Sequence, residues 1–186
     1  MSALAWNYKG LGTYRAVRKV VDIVQAQGPK IMFLSETWFD KEYMEKVCYD
    51  LEFDGLFAVP NNGRGGGLAM LWKFEIVVWV DSFSNYHIDV IVNGGMEDAW
   101  RLTRFYGEPE TSRRSEGWNM LWMLSLKPKL SWCYFGDFNQ ILRVEDKQGG
   151  VPRSQYLMQM FREALDHCDF VNLGFSGPAF TWHGKR

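Results

Sequence analysis

Cysteine is scarce. The 186 residues hold three, Cys48, Cys133 and Cys168, an odd number with no Cys-x-x-Cys spacing. That argues against a disulfide framework and against a zinc site, and suits a reduced intracellular setting. Histidine is as rare, at three residues. No window approaches the roughly 18 apolar residues of a membrane span, so no membrane partner is expected. The N-terminus runs straight into a strand-like segment with no basic leader. Net charge is also missing, since 21 Lys and Arg face 22 Asp and Glu, leaving −1. A nucleic-acid backbone would therefore have to be met by metal ions and local patches such as Arg113/Arg114 and Lys127/Lys129, residues that otherwise read as solvated surface. Repeats, linkers and low-complexity stretches are absent, which leaves one domain, 1–186, as the expectation. No feature fixes an oligomeric state.

What the chain does have is apolar and aromatic. Hydrophobic residues make up 47%, and nine Trp, thirteen Phe and eight Tyr are a heavy aromatic load, pointing to thick β-rich packing with rings left over for a ligand surface. Leu4–Asn7 reads as a short strand. Thr13 is a good N-cap for a helix Tyr14–Gln27, whose Val17, Val20, Val21 and Val24 share a face and which Gly28-Pro29 closes. Ile31–Leu34 is a buried strand, completing a β-α-β unit. Asp40 caps a helix with Met44, Val47, Cys48 and Leu51 on its apolar side. Strands follow at Leu56–Val59 and Leu68–Trp72, and then as a meander, Ile76–Val80, Ile88–Val92 and Trp100–Tyr106. A helix with Trp118, Leu121 and Trp122 inward precedes a strand at Leu130–Phe135. Ser154 caps a helix burying Leu157, Met160, Phe161, Ala164, Leu165 and Cys168, and Phe180–Trp182 is a last strand. The glycine-rich stretch 61–67 lacks a Walker pattern, so a plain connection is favoured over a phosphate loop.

Four strands end in polar residues: Asn7, Glu36, Tyr106, and the Asp137/Asn139 pair after Gly136. In an extended chain Asp137 and Asn139 share a face, about 7 Å apart, with Phe138 packed behind; a strand followed by an Asx turn is the alternative. Sites in α/β layers gather where loops leave strand carboxyl ends. Two carboxylates and two carboxamides suit a hard cation such as Mg²⁺, and so phosphoryl chemistry. Taken singly, Asn7 reads as a turn residue, Tyr106 as a core tyrosine and Glu36 as a surface charge.

Together, Trp6-Asn7, Ser35-Glu36-Thr37, Gly65-Gly66-Gly67, Phe105-Tyr106-Gly107, Gly136-Asp137-Phe138-Asn139 and Phe180-Thr181-Trp182, in this order, resemble the endonuclease/exonuclease/phosphatase superfamily. Within it the chain is similar to the endonuclease domain of plant non-LTR (LINE-type) retrotransposons, a likeness shared by the Arg113-Arg114 region, by Asp146-Lys147-Gln148-Gly149-Gly150 and by Leu173-Gly174-Phe175. The resemblance implies an α/β fold: a two-sheet β-sandwich flanked by helices, four-layer α/β/β/α and DNase I-like, lacking its last strands. It implies Glu36 and Asn7 on Mg²⁺ (or Mn²⁺), Asp137 on the attacking water, Asn139 positioning water and phosphate, and Tyr106 on the scissile phosphate. DNA is the implied partner, and the nucleus the implied location. Family members continue to an Arg-Leu-Asp segment and a Ser-Asp-His motif, and neither occurs here. His183 follows the Phe-Thr-Trp strand directly and does not replace that histidine. His87 falls in the meander, and His167 near a helix C-terminus. The expectation is thus a truncated reading frame or fragment whose DNA-nicking phosphodiesterase activity is impaired. A non-catalytic nucleic-acid-binding remnant is the alternative, and a phosphomonoesterase the third reading.

Overall fold

The computed structural model describes residues 1–7, 14–38, 40–60, 67–108 and 110–177. They fall into two compact units, Met1–Tyr106 with Lys129–Asp137, and Gly107–Pro128 with Phe138–Arg186.

The first unit holds both sheets. Strands β1 (Ala3–Asn7), β2 (Ile31–Ser35), β3 (Gly55–Val59) and β4 (Leu68–Trp72) form one sheet in the order β1-β2-β4-β3. Strands β5 (Val78–Ser84), β6 (His87–Val92), β7 (Trp100–Tyr106) and β8 (Ser131–Asp137) form the other in chain order. Helices α1 (Tyr14–Gln27) and α2 (Lys41–Asp50) belong to the same unit.

Strand β2 is apolar on both faces, and both are covered. Met32 and Leu34 pack with Val20 and Val24 of α1, Met44 and Val47 of α2, and Ala69 and Leu71 of β4. The alternate residues Ile31 and Phe33 face Met70, Ile88, Val90, Val92 and Leu102. A continuous apolar run without polar alternation is the pattern that double burial demands. Phe33 also meets the edge of Phe135, centroids 5.0 Å apart, which ties the two sheets into a sandwich. The expected two-sheet α/β architecture of the DNase I-like kind is therefore the observed one. Among the described residues no strand follows β8.

In each sheet one pair is parallel, β1 with β2 and β7 with β8; every other pair is antiparallel. Parallel neighbours present their carboxyl ends side by side. Asn7 therefore lies opposite Ser35, and Tyr106 opposite Asp137.

Several elements differ from the sequence expectation. The first meander strand begins at Val78, not Ile76, because the Ile76 N–H is bonded to the Lys73 carbonyl in a turn at 3.1 Å. It runs on to Ser84 through a bulge after Val80, its serines facing His87 across the hairpin. Strand β8 extends two residues past Phe135 because its ladder with β7 persists to Asp137.

The second unit contains α3 (Arg114–Ser125) and α4 (Gln155–His167). Helix α3 buries Arg114, Trp118, Leu121 and Leu124, a spacing of four, three and three. Trp122 lies off that stripe, 49% exposed, with His167 against its ring at 4.9 Å between centroids. Helix α4 buries Met158 rather than Met160, along with Phe161 and Ala164; Phe161 stacks on Trp118. The caps are as expected: an Asp40 carboxylate oxygen accepts the Tyr43 N–H at 2.9 Å, and the Ser154 hydroxyl oxygen accepts the Leu157 N–H at 3.5 Å. Thr13, Gly65, Gly66 and the strand Phe180–Trp182 lie outside the described residues. Among those described, no helix is long and apolar enough to cross a membrane.

Candidate active site

Alternation along the strands decides which side chains look inward. On β8, Cys133 and Phe135 join the core shared by the sheets, so Asp137 takes the same face. On β7, Leu102 and Tyr106 are inward, and Arg104 lies between them in the same row. On β1, Leu4 and Trp6 pack toward the helices, leaving Asn7 on the other face. The polar strand ends of the first unit thus share the inner faces of its two sheets.

Glu36 is the centre. It follows β2 at φ 56°, the left-handed region, where a residue with a Cβ costs about 1–3 kcal/mol. Its neighbours Ser35 and Thr37 are buried, and Glu36 itself is 9% exposed. Oxygen Oε1 accepts two hydrogen bonds, from Asn7 Nδ2 at 2.8 Å and from the Tyr106 hydroxyl at 2.7 Å. Residues 29 and 70 positions away in sequence thus converge on one carboxylate oxygen. A buried carboxylate is costly unless hydrogen-bonded in this way. The loop is held further by the Thr37 N–H donating to the Gly67 carbonyl at 3.4 Å.

Burial, and then the bond to Glu36, raise the Tyr106 phenol well above its ordinary pKa. At neutral pH it is a proton donor and not a phenolate. Asp137, opposite Tyr106, is exposed at the strand end, where water can reach it.

Arg104 is the residue that the sequence reading missed. It is 5% exposed, its guanidinium lies 5.7 Å from the Phe135 ring centroid, and its Nη1 donates to the Phe105 carbonyl. Burial pulls its pKa down to about 10, against the upward effect of Asp137. It therefore stays cationic at neutral pH. Its Nε is buried with no hydrogen-bond partner among the described residues. The signal was available, because Arg104 stands two residues before Tyr106 on a strand and so shares its face. Gly136 makes room for it: a Cβ there would overlap the Phe105 carbonyl and the Arg104 guanidinium.

Asn139 does not continue the Asp137 row. The extended run stops at Asp137, and Asn139 has φ 50°, so two-residue alternation no longer applies. It belongs to the second unit, where its Nδ2 donates to the Gly107 carbonyl at 2.7 Å. That bond joins two segments 32 residues apart within the unit.

The histidines lie elsewhere. His87, on the meander as expected, bonds Ser84 at 2.7 Å and Ser82 at 3.3 Å on the opposite face of the second sheet. That face also carries a buried polar network in which Asp89 accepts from Arg101 Nε at 2.8 Å, Arg101 Nη2 at 2.7 Å and the Thr103 hydroxyl. His167 ends α4, and His183 is outside the described residues. Among the described residues no three of His, Cys, Asp and Glu could together hold a metal ion.

A sequence model of the endonuclease/exonuclease/phosphatase family matches residues 4–186. The chain belongs to this family. No curated protein shows significant sequence similarity to it. Among solved structures, an AP endonuclease from Archaeoglobus fulgidus is similar at 13% identity and a TM-score of 0.64, over 88% of this chain and 68% of that one. The endonuclease domain of TRAS1, a telomere-specific non-LTR retrotransposon, is similar at 14% identity and a TM-score of 0.61, over 87% and 71%. TDP2 of D. rerio complexed with a single-strand DNA product is similar at 15% identity and a TM-score of 0.52, over 74% of this chain. The chain spans 60% of that TDP2 chain's length. At these identities the likeness establishes the fold that the family member adopts, a two-sheet α/β sandwich.

Proposed function

We propose that the chain is a Mg²⁺-dependent phosphodiesterase of the DNA-nicking endonuclease type. The observation that supports this most directly is the convergence of Asn7 and Tyr106 on one oxygen of buried Glu36 at the mouth of the sandwich. Family membership and the nucleases and DNA-bound protein that share the fold point the same way. The likeness of residues 146–150 and 173–175 to plant LINE-type endonuclease domains supports that branch.

The donor set fits a hard divalent ion. It is all oxygen and small in number, and Mg²⁺ (or Mn²⁺) is held by one or two carboxylates while keeping several waters. Glu36 and Asn7 would hold it. The chemistry that such an ion would supply when bound is stabilisation of the charge that develops at phosphorus. Tyr106, kept protonated, has one hydroxyl hydrogen, which rests on Glu36 Oε1; with a phosphate in the site that hydrogen would turn from Glu36 to a non-bridging phosphate oxygen. Asp137 accepts the proton of the attacking water. The water oxygen bonds to phosphorus, one ester P–O bond breaks, and the departing oxygen takes up a proton from solvent. Asn139 is the further candidate for contacting water or phosphate.

The test is conversion of supercoiled plasmid to the open-circular form in millimolar Mg²⁺. Asp137→Ala and Glu36→Ala should each lower the rate by at least about 100-fold. Nicking that survives Asp137→Ala refutes the assignment. Duplex binding without nicking by the unaltered protein favours the non-catalytic nucleic-acid-binding reading, and release of inorganic phosphate from small monoesters favours the phosphomonoesterase.

A further inference from the structure

The second unit contains a cavity of about 920 Å³ that uses none of the residues assigned above. Its wall includes Arg114, Lys147 and Arg153, and no carboxylate is among the described residues that line it. Arg114 is 5% exposed, and two of its guanidinium contacts are the Glu108 carbonyl and the Gln140 side-chain oxygen, each at 3.3 Å. The Nε of Arg153 is buried with no hydrogen-bond partner among the described residues. Burial first, and then the charge of Arg153, lower the pKa of Arg114, so the two guanidinium groups repel each other across this wall. Like charges gathered in a partly enclosed space are costly for a fold that gains nothing from them.

The intervening loop adds to the case. Gly149 and Gly150 both sit at positive φ, 73° and 67°. A Cβ on Gly149 would meet nothing within 4 Å, so its backbone lies open. The thirteen-residue α4 begins at this wall behind its Ser154 cap, and its N-terminal end favours negative charge. The three cations, one with an unused donor, call for an oxyanion larger and more highly charged than a lone carboxylate.

We propose that this cavity binds a phosphate of a nucleic-acid strand, a second phosphate besides the one undergoing cleavage, through Arg114, Arg153 and Lys147. The proposal rests on the phosphodiesterase reading for its choice of ligand, but not on hydrolysis taking place. It gives the near-neutral chain the local basic patch that it needs to hold a polyanion.

The test is fluorescence anisotropy of a labelled 20-base-pair DNA duplex against the full chain in EDTA, titrated at several KCl concentrations. Arg153→Gln with Lys147→Gln should weaken binding by about tenfold at moderate salt and make the log–log salt dependence shallower by about 0.9, the value for one phosphate that is no longer neutralised. Arg153→Lys in place of Arg153→Gln should restore most of the slope, which a merely misfolded variant would not do. Hydrolysis of bis(p-nitrophenyl) phosphate in Mg²⁺ should be unchanged in the double variant, since that ester reaches one phosphate only. Unchanged affinity and slope overturn the proposal. So does weaker binding at an unchanged slope, which would mean a damaged fold and not the removal of a cation from a phosphate. Stabilisation by inorganic phosphate that depends on Arg153, with no effect of Arg153 on the duplex, also overturns it, in favour of a free-anion site. Because binding is read in EDTA, a protein that binds in this way but never nicks refutes the catalytic reading alone.

Discussion

Tyr106→Phe removes one atom and tests the centre of the site. The lost hydroxyl donates to Glu36 Oε1 at 2.7 Å in a half-buried setting. A hydrogen bond to a charged group is worth about 1.5–3 kcal/mol, and partial exposure brings the expectation to about 1–2 kcal/mol. For a chain of this size that is a fall of about 2–8 °C in Tm. The pH dependence is more discriminating. In the unfolded chain the phenol ionises near about pH 10, and in the folded protein its pKa is raised by burial and by Glu36. Above about pH 10 the unfolded state therefore binds fewer protons than the native state, and stability falls by about 1.4 kcal/mol per pH unit until the folded pKa is reached. Below that window Tyr106 adds no pH dependence. Urea denaturation of both proteins at pH 7 and pH 10.5 should show a gap between them that narrows as pH rises, because Phe has nothing to ionise. Equal stability at pH 7, or parallel alkaline losses, would refute the Tyr106–Glu36 hydrogen bond.

Phe33 is 0% exposed and meets the edge of Phe135 across the sandwich, so Phe33→Ala should cost about 3–5 kcal/mol in urea denaturation. A loss under about 1 kcal/mol would mean that the two sheets do not share this core. On the opposite face of the second sheet, the Asp89–Arg101 pair is 0% and 5% exposed. Asp89→Asn should cost about 3–5 kcal/mol by leaving the guanidinium uncompensated, whereas Asp89→Leu with Arg101→Met together should cost much less. Additive losses in that double-mutant cycle would show that the pair is not coupled.

The elements whose type was legible in the sequence are those with a strong period or a hard stop. Helix α1 is marked by four valines on one face and by Gly28-Pro29, and β7 by its end in Phe105-Tyr106-Gly107. Boundaries moved where tertiary pairing overrode composition. Polar Asp81, Ser82 and Ser84 read as loop, yet they belong to β5 because the hairpin with β6 gives the serines partners. The helical spacing of Trp118, Leu121 and Trp122 puts Trp122 inward, but the α3 stripe set by Arg114, Trp118, Leu121 and Leu124 leaves it outside. An arginine in that stripe could not be guessed, since its burial depends on acceptors from residues 108 and 140.

The site shows the same division more sharply. Glu36, Asn7, Tyr106 and Asp137 were visible as polar residues at strand ends, and what brings them together is the direction of the strands. Had β1 and β2 been antiparallel, Asn7 would have faced the start of β2 and not Ser35. The same holds for Tyr106 and Asp137 on β7 and β8. A parallel pair needs a crossover, and the sequence supplies one in each case, α1 between β1 and β2 and residues 107–130 between β7 and β8. The crossovers are thus what place these polar ends side by side, and they were readable before any pairing was known. The left-handed turn at Glu36, the room that Gly136 leaves for Arg104 and the break in alternation at Asn139 were not. Each depends on φ at a single residue or on one close approach, which neither periodicity nor residue type encodes.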